Sequence, residues 1–501
     1  MSYLMGIDLG TSSVKTVIMD ENGSIKGTAQ QSYEMMIEKS GYAEQDPNFW
    51  WEAVVRTIKQ VLNETGIHSK KINGIGFSGQ MHGLVMIDQN LLPIRPAIIW
   101  SDQRSRKEAA EIYSIIGRET VKKIVMNSIF TGFQLPSLLW IKKNEPFVYE
   151  KINKVLLPKD YIRLKLTGEC GTDFTDASAT LAFDIQNRKW AFDLIKKVGL
   201  NPDFYPEVHE SIDIAGQVTV KAAEETGLAP GTPVVYGGGD QSMQSIGNGI
   251  VKPGQVSLTI GTGGQTFSII PEPICETEMR THTFCHAVPG TWSIMGANLA
   301  AGLSLSWLNK KILSNLSYAE INELAKQVTP GSEGLLFLPY LSGERTPHMD
   351  DSARGTFLGL TLNHSKAHLI RSVMEGVVFA LKDSVEMFHS LNIKMDTFIA
   401  SGGGARSDIW LNIQANILNK EIYKVNQLEQ ACTGAAITAG VGIGKYDSIQ
   451  SACETIIRIN PEPVRPDPAV AGFYNEMYEL YKSAYVQNKQ LFHQLAMKQD
   501  F

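Results

Sequence analysis

Two aspartates mark where this chain could do chemistry, each delivered at the end of an apolar run and followed by small polar residues. The first is Asp8 in Ile7-Asp8-Leu9-Gly10-Thr11-Ser12-Ser13, and the second is Asp240 in Val234-Val235-Tyr236-Gly237-Gly238-Gly239-Asp240-Gln241-Ser242. A carboxylate at a strand end is placed to act as a general base or to ligate a metal, and it can equally cap the helix that follows. Three consecutive glycines lose much backbone entropy on folding, which points to a close approach of chain or ligand. Beside Asp8, Gly10 lets backbone N–H groups face an anion, while Thr11, Ser12 and Ser13 add hydroxyl donors. Hard divalent cations take carboxylate oxygens, so Asp8 could hold one through water. A tight hairpin with polar decoration is the plainer alternative.

Strands must hold both aspartates. Residues 3–8 and 14–20 flank the first loop, Glu21-Asn22-Gly23 supplies a turn, and residues 24–29 return as a third strand. Strands on both sides and no G-x-G-x-x-G set this loop apart from a P-loop or a dinucleotide fingerprint. Asp46-Pro47 opens a helix whose stripe of Trp51, Val54, Val55, Ile58, Val61 and Leu62 reads as core. A further strand over 71–77 opens into Ser78-Gly79-Gln80-Met81-His82-Gly83, where a lone His is more often structural than catalytic. Polar clusters at Asp102-Gln103-Arg104, Lys159-Asp160 and Thr172 to Ser178 suggest a pocket for a polyol, read by many convergent donors and acceptors. Asp102 and Arg104 could instead pair with each other.

After Lys252-Pro253-Gly254 the pattern starts again. Residues 256–260, the loop Gly261-Thr262-Gly263-Gly264 and residues 265–270 echo the first hairpin without its acid. Two such loops imply two similar domains closing around a polyphosphate. A small-residue helix entry at Gly302, a long helix over 366–389 and a second glycine loop at Gly402-Gly403-Gly404-Ala405-Arg406 follow. Tyr474, Tyr478, Tyr481 and Tyr485 recur at helical spacing as a packing stripe.

Composition narrows the class. The chain has 501 residues, 43% hydrophobic and 20% charged, with a formal net charge of −6, which suits two or more ordinary globular domains. No basic block of the kind used on nucleic acid occurs, and no apolar stretch approaches the roughly 20 residues that span a bilayer. Five dispersed cysteines without a C-x-x-C pair fit reduced thiols, so a cytoplasmic setting is expected.

Taken in order, the motifs resemble the FGGY carbohydrate kinase family over nearly the whole chain. They are Ile7 to Ser12, Gly79-Gln80-Met81-His82-Gly83, Leu157-Pro158-Lys159-Asp160-Tyr161, Gly238-Gly239-Asp240, Ile260-Gly261-Thr262-Gly263, Pro339 to His348 and Gly402 to Ser407. Within the family, the Q-M-H and L-P-K-D-Y segments resemble those kinases that phosphorylate D-xylulose to D-xylulose 5-phosphate. The resemblance implies an α/β protein of two ribonuclease H-like (actin-like ATPase) domains with a central cleft, each built on a mixed five-stranded sheet. Residues 1–249 would bind sugar and carry the base, and residues 250–501 would bind Mg-ATP. It further implies Asp240 as the base and Met81, His82, Asp240 and Gln241 as sugar contacts. Asp8 would organise Mg2+, Thr11, Ser12, Ser13 and Thr262 would surround the phosphates, and Gly302, Gly404 and Ala405 would flank the nucleotide. A homodimer is a family expectation.

Three positions depart from the pattern of the xylulose-phosphorylating members: Gln241 stands for Asn, Ser137 for Lys and Ala179 for Gly. Gln241 bears most directly on sugar choice, and L-xylulose, ribulose or a glycerol-like polyol is the alternative acceptor. A sugar sensor or chaperone on the same ATPase fold is the non-enzyme alternative. A chaperone should carry a peptide-binding extension, and a dead sensor should lack Asp240 or Asp8.

Overall fold

The computed structural model describes residues 2–426 and 429–499. Near-continuous buried runs form β1 (Tyr3–Leu9) and β2 (Ser13–Asp20), and an alternating one forms β3 (Ile25–Ser32), together an antiparallel meander. The strand β4 (Ile72–Gly79) joins the other side of β1 in parallel. Beyond it lie β6 (Pro233–Val235) and its antiparallel partner β5 (Ile214–Gln217), in the order β5-β6-β4-β1-β2-β3. The short β7 (Gly238–Gly239) pairs with the end of β4. Gly237 makes the step from β6 to β7: its φ is 71°, and a Cβ there would lie 2.3 Å from the Phe77 carbonyl oxygen.

The second sheet repeats the plan. It contains β8 (Gly254–Ile260), β9 (Gly264–Ile270), β10 (His282–Cys285), β11 (Trp292–Asn298), β12 (Met395–Gly402) and β13 (Ile422–Lys424). Its order is β10-β11-β9-β8-β12-β13, with the β8–β9 hairpin antiparallel and β12 parallel to β8. The run β11-β9-β8-β12-β13 therefore matches β3-β2-β1-β4-β6. The implied five-stranded sheets are corrected to seven and six strands. The additions lie at the margins: β5 pairs onto β6, the Gly237 step splits off β7, and β10 pairs onto β11.

Helices α1 (Pro47–Thr65), α2 (Pro158–Thr167), α3 (Phe174–Ser178) and α4 (Asp240–Gly247) come from the first half. Helices α5 (Gly302–Lys311), α6 (Lys366–Ser390), α7 (Gln430–Gly442) and α8 (Pro468–Gln499) come from the second. Asp46 caps α1 by accepting from the Asn48 N–H at 2.9 Å, and Trp51, Val54, Ile58 and Val61 are buried as the stripe predicts. Val55 and Leu62 are only partly buried. The four tyrosines of α8 are also core, and each hydroxyl finds a partner: Glu375 at 2.6 Å, Asp383 at 2.6 Å, Tyr340 at 2.8 Å and Asp350 at 2.8 Å. No helix among the described residues is long and apolar enough to cross a membrane.

Helix α7 comes from the C-terminal half but lies on the first sheet, backbone against backbone. A Cβ on Gly6 would stand 1.9 Å from the Cys432 carbonyl oxygen, and one on Gly76 would stand 1.9 Å from that of Ala435. The same closeness joins α7 to α4, where a Cβ on Gly434 would meet the Met243 carbonyl oxygen at 1.9 Å. Gly76→Ala is therefore expected to lower stability by at least about 1–3 kcal/mol, because neither element can give way. Gly472→Ala, in α8 with open space around it, should be neutral or stabilise by a few tenths of a kcal/mol. Urea unfolding of both variants checks the contrast, and equal effects would contradict it.

Candidate active site

Three neighbouring parallel strands deliver the candidate residues to one edge. Asp8 on β1 stands in register with Ser78 on β4, and Gly79 stands in register with Gly239 of β7. Met81 and His82 follow the end of β4, and Asp240 and Gln241 open α4 directly after β7. Ligands of parallel α/β sheets gather at such carboxyl ends because the chain turns there into loops and helix N-termini. The Gln80 N–H donates to the Leu9 carbonyl at 2.8 Å, which ties the Met81–His82 loop to the Asp8 hairpin. A Cβ on Gly239 would lie 2.7 Å from Met81 Cγ, so the third glycine is what lets Met81 approach the Asp240 strand.

The two aspartates share an electronegative corner. Burial pushes the Asp240 carboxyl up to about 7, and the Asp8 charge adds to this against the amides of Gln241. Burial also raises Asp8, although the Ser78 hydroxyl and Lys15 oppose it. One Asp8 oxygen accepts from Ser78 Oγ at 2.6 Å, and no protein group among the described residues donates to the other. A hard carboxylate oxygen beside surplus negative charge fits a divalent cation.

The hairpin between β1 and β2 is braced from outside. Tyr33 donates to the Gly10 carbonyl, Gln45 Nε2 to the Thr11 carbonyl at 2.6 Å, and the Trp100 indole to Thr11 Oγ1 at 2.8 Å. Ser13 Oγ accepts from Gln30 at 2.9 Å, and Ser12 is exposed. Sequence reasoning missed these braces, because nothing local marks Tyr33, Gln45 or Trp100.

His82 adopts φ 72°, and its Nδ1 lies 2.8 Å from the Ala179 carbonyl. A carbonyl oxygen only accepts, so Nδ1 carries the proton and Nε2 offers a lone pair. Burial depresses the imidazole to about 4, which keeps it neutral. Ala179 has φ −86°, so the glycine of the family pattern is not needed there. Ser137 is buried within a helix, and its hydroxyl finds no partner.

The polar loops at Lys159-Asp160 and Thr172 to Ser178 do not line a sugar pocket, which corrects the sequence expectation. Lys159 is wholly buried, with Nζ 2.7 Å from Asp160, 2.8 Å from Asp173 and 3.1 Å from Asp176. Burial pushes this ammonium down, but the three carboxylates push it up further. Burial raises Asp176 well above its usual range. Those three carboxylates converge as metal ligands would, and Lys159 Nζ supplies their cation. The cluster then reaches the edge that carries Asp240. Asp173 Oδ2 accepts from Thr175 Oγ1 at 2.5 Å, and Thr175 Oγ1 accepts from the Gly239 N–H at 2.8 Å. A Cβ on Gly79 would meet Lys159 Cβ at 2.8 Å. Asp102 and Arg104 are also structural, with Arg104 Nη2 donating to Asp102 Oδ2 at 2.7 Å.

In the second half, Thr262, Gly302 and Gly404 line one cavity of about 540 Å3, with Leu303, Tyr318, Asn322, Arg406 and Trp410 among its walls. The loop is closed by its own backbone: Gly302 N donates to the Gly261 carbonyl at 2.8 Å and Leu303 N to that of Thr262 at 3.0 Å. Ala405 is not in this lining; it packs partly buried against the second core. Gln241 shares a narrow polar crevice with Thr259 and Gln265 of the second hairpin.

Family models for the N-terminal and C-terminal domains of FGGY carbohydrate kinases match residues 3–247 and 256–443. The chain belongs to the FGGY family of carbohydrate kinases. It is 38% identical over 488 residues to a xylulose kinase of Staphylococcus epidermidis, covering 97% of each chain. To a xylulose kinase of Bacillus subtilis it is 35% identical, covering 98% of each. The crystal structure of a xylulose kinase from Rhodospirillum rubrum superposes with a TM-score of 0.91 at 29% identity, over 98% of this chain and 100% of that one. As in that family, the fold is the two-domain α/β actin-like ATPase arrangement. An FGGY kinase is a phosphotransferase with an alcohol acceptor and ATP as donor.

Removing the buried ammonium tests the support beneath the site. Lys159→Met strands three carboxylates and should cost about 3–5 kcal/mol in urea unfolding. A loss below about 1 kcal/mol would show that the cluster does not hold this edge.

Proposed function

We propose that this chain transfers the γ-phosphoryl group of ATP to the 5-hydroxyl of D-xylulose, giving D-xylulose 5-phosphate and ADP. The observation that carries the reading is Asp240: a carboxylate pushed up to about 7, at a strand end beside the Met81–His82 loop, with the next residue, Gln241, facing the second hairpin. Such a group is well matched to take a proton from an alcohol near neutral pH. The acceptor oxygen forms its bond to phosphorus as the bond from phosphorus to the ADP oxygen breaks, and the hydroxyl proton passes to Asp240. The xylulose kinases among the relatives supply the choice of sugar.

Residues 1–249 serve as the sugar side and residues 250–501 as the nucleotide side. Met81 and His82 contact the sugar, and His82 Nε2 accepts from a hydroxyl. Gln241 bridges toward the second hairpin. Thr11, Ser12, Ser13 and Thr262 surround the phosphates, and Gly302 and Gly404 flank the nucleotide, with Ala405 behind them. Mg2+ held at Asp8 would neutralise developing phosphate charge. Positioning and charge neutralisation supply most of the rate in such transfers.

A gluconokinase of Bacillus subtilis is also similar, at 32% identity over 470 residues, so gluconate belongs in the acceptor panel. ADP release measured over D-xylulose, L-xylulose, ribulose, gluconate and glycerol should rank D-xylulose first by kcat/KM. Any other ranking replaces the assigned acceptor. Asp240→Asn should lower kcat/KM by about 10²–10⁴-fold with nucleotide affinity within about twofold. The base works as carboxylate, so log kcat/KM should fall with unit slope as pH drops below about 7 and level off above it. A flat profile from pH 5 to 8 would remove Asp240 from that role.

A further inference from the structure

Arg345 forms no ion pair among the described residues, although the Glu344 carboxyl next to it acts on its charge, and it lies in the Ser342 to His348 run that the roles above leave unused. Its loop is pinned on both sides. The Glu344 carboxylate accepts from the backbone N–H of Leu299 at 2.9 Å and of Arg345 at 2.7 Å, and from the Asn298 amide at 3.3 Å. Thr346 donates its N–H to the Ala297 carbonyl at 3.0 Å and its hydroxyl to the Arg280 carbonyl at 2.8 Å. The guanidinium itself donates to no protein oxygen among the described residues, and its one aromatic neighbour is Phe130, at 5.8 Å.

That neighbour belongs to a wall shared by both halves of the molecule. The Phe130 ring lies 5.8 Å from His282 and 6.0 Å from Phe133, and Phe133 lies 3.9 Å from His82. Phe284 completes it, stacked 6.0 Å from His282 and 5.9 Å from His82. His282 is 2% exposed, and neither of its ring nitrogens has a partner. Both imidazoles are neutral: burial first, and the Arg345 charge in addition, depress His82 to about 4 and His282 to about 3. Arg345 does not line the cavity of Thr262, Gly302 and Gly404.

A half-buried guanidinium without an acceptor is costly, as is a buried imidazole without a partner. The buried cations Lys159 and Arg371 are paired with carboxylates. Unused donors and acceptors gathered beside the Met81–His82 loop are suited to a neutral ligand rich in oxygens. We propose that Arg345 is a specificity-determining contact of the acceptor site, donating to the sugar oxygens at the end remote from the phosphorylated hydroxyl. His82 Nε2 accepts from a neighbouring hydroxyl, and the His282–Phe284 face closes the wall. This rests on the sugar kinase reading above. It selects acceptors long enough to reach from Asp240 to Arg345, so a three-carbon polyol would miss the contact.

The test is steady-state kinetics of Arg345→Gln and Arg345→Lys with the best ketose of the panel and with glycerol. Loss of a charge-assisted hydrogen bond should raise the ketose KM roughly 10–100-fold in R345Q, with the ATP KM within about twofold. The ratio of kcat/KM for ketose over glycerol should fall by a similar factor. R345K keeps the charge without the planar fork and should lie between wild type and R345Q. A ketose KM within twofold of wild type would overturn the inference. So would an equal loss on ketose and glycerol, or a rise in the ATP KM matching that of the ketose. If R345Q does not fold by thermal melting, the R345K acceptor KM decides in the same sense. A wild-type enzyme that phosphorylates no member of the panel would instead refute the kinase reading itself.

Discussion

The edge of the first sheet that carries the candidate site depends on an ammonium that never meets solvent. Lys159 gathers Asp160, Asp173 and Asp176 within 3.1 Å, and removing three carboxylates from water is tolerable only because that cation goes with them. What the arrangement supports is geometry. Asp173 fixes the Thr175 hydroxyl, Thr175 fixes the Gly239 N–H, and the next residue is Asp240. On the other side the stem of Lys159 lies against Gly79, at the root of the Met81–His82 loop. The backbone beneath Asp240 is thus held from below, while the Gln241 amides reach the carboxylate itself.

The duplicated sheet divides the work. Each half opens with a hairpin and then adds a parallel strand, so each presents a loop of small residues at the same edge. The first hairpin carries an acid that the second lacks, and the second adjoins a cavity of about 540 Å3 whose walls include Tyr318 and Trp410. Helix α4 runs between them. Ser242 Oγ accepts from the Ala287 N–H at 3.0 Å, and Ser245 Oγ meets His286 Nε2 at 2.6 Å, so the helix that starts at the base also holds the second half. Packing α7 onto β1, β4 and α4 through glycines brings a C-terminal segment onto the first sheet.

Much of this was legible in the linear chain. Strand ends at Asp8, Ser78, Gly239 and Ile260 follow from apolar runs broken by glycine and hydroxyl residues, and the Asp46-Pro47 helix start is a local capping event. The tyrosine stripe of α8 follows from helical spacing alone. Less was legible where a residue's role depends on what packs over it. Thr172 to Ser178 reads as a ligand loop, because polar clusters look alike in sequence whether they face water or a buried lysine. Ala405 reads as a neighbour of Gly404 at the nucleotide, yet it lies partly buried against the second core and outside the cavity lining.

The sequence by itself determined the elements and the two ends of the candidate site, since glycine, proline and apolar runs act over a few positions. Tertiary structure alone decided which charges are paired, that Asp240 is pushed toward neutrality, and that the Arg345 guanidinium meets no acceptor among the described residues. Those properties arise from burial and from distances between segments far apart in the chain. Asp240 acquires its raised pKa from a closed environment and the charge of Asp8, and neither is written in the residues beside it.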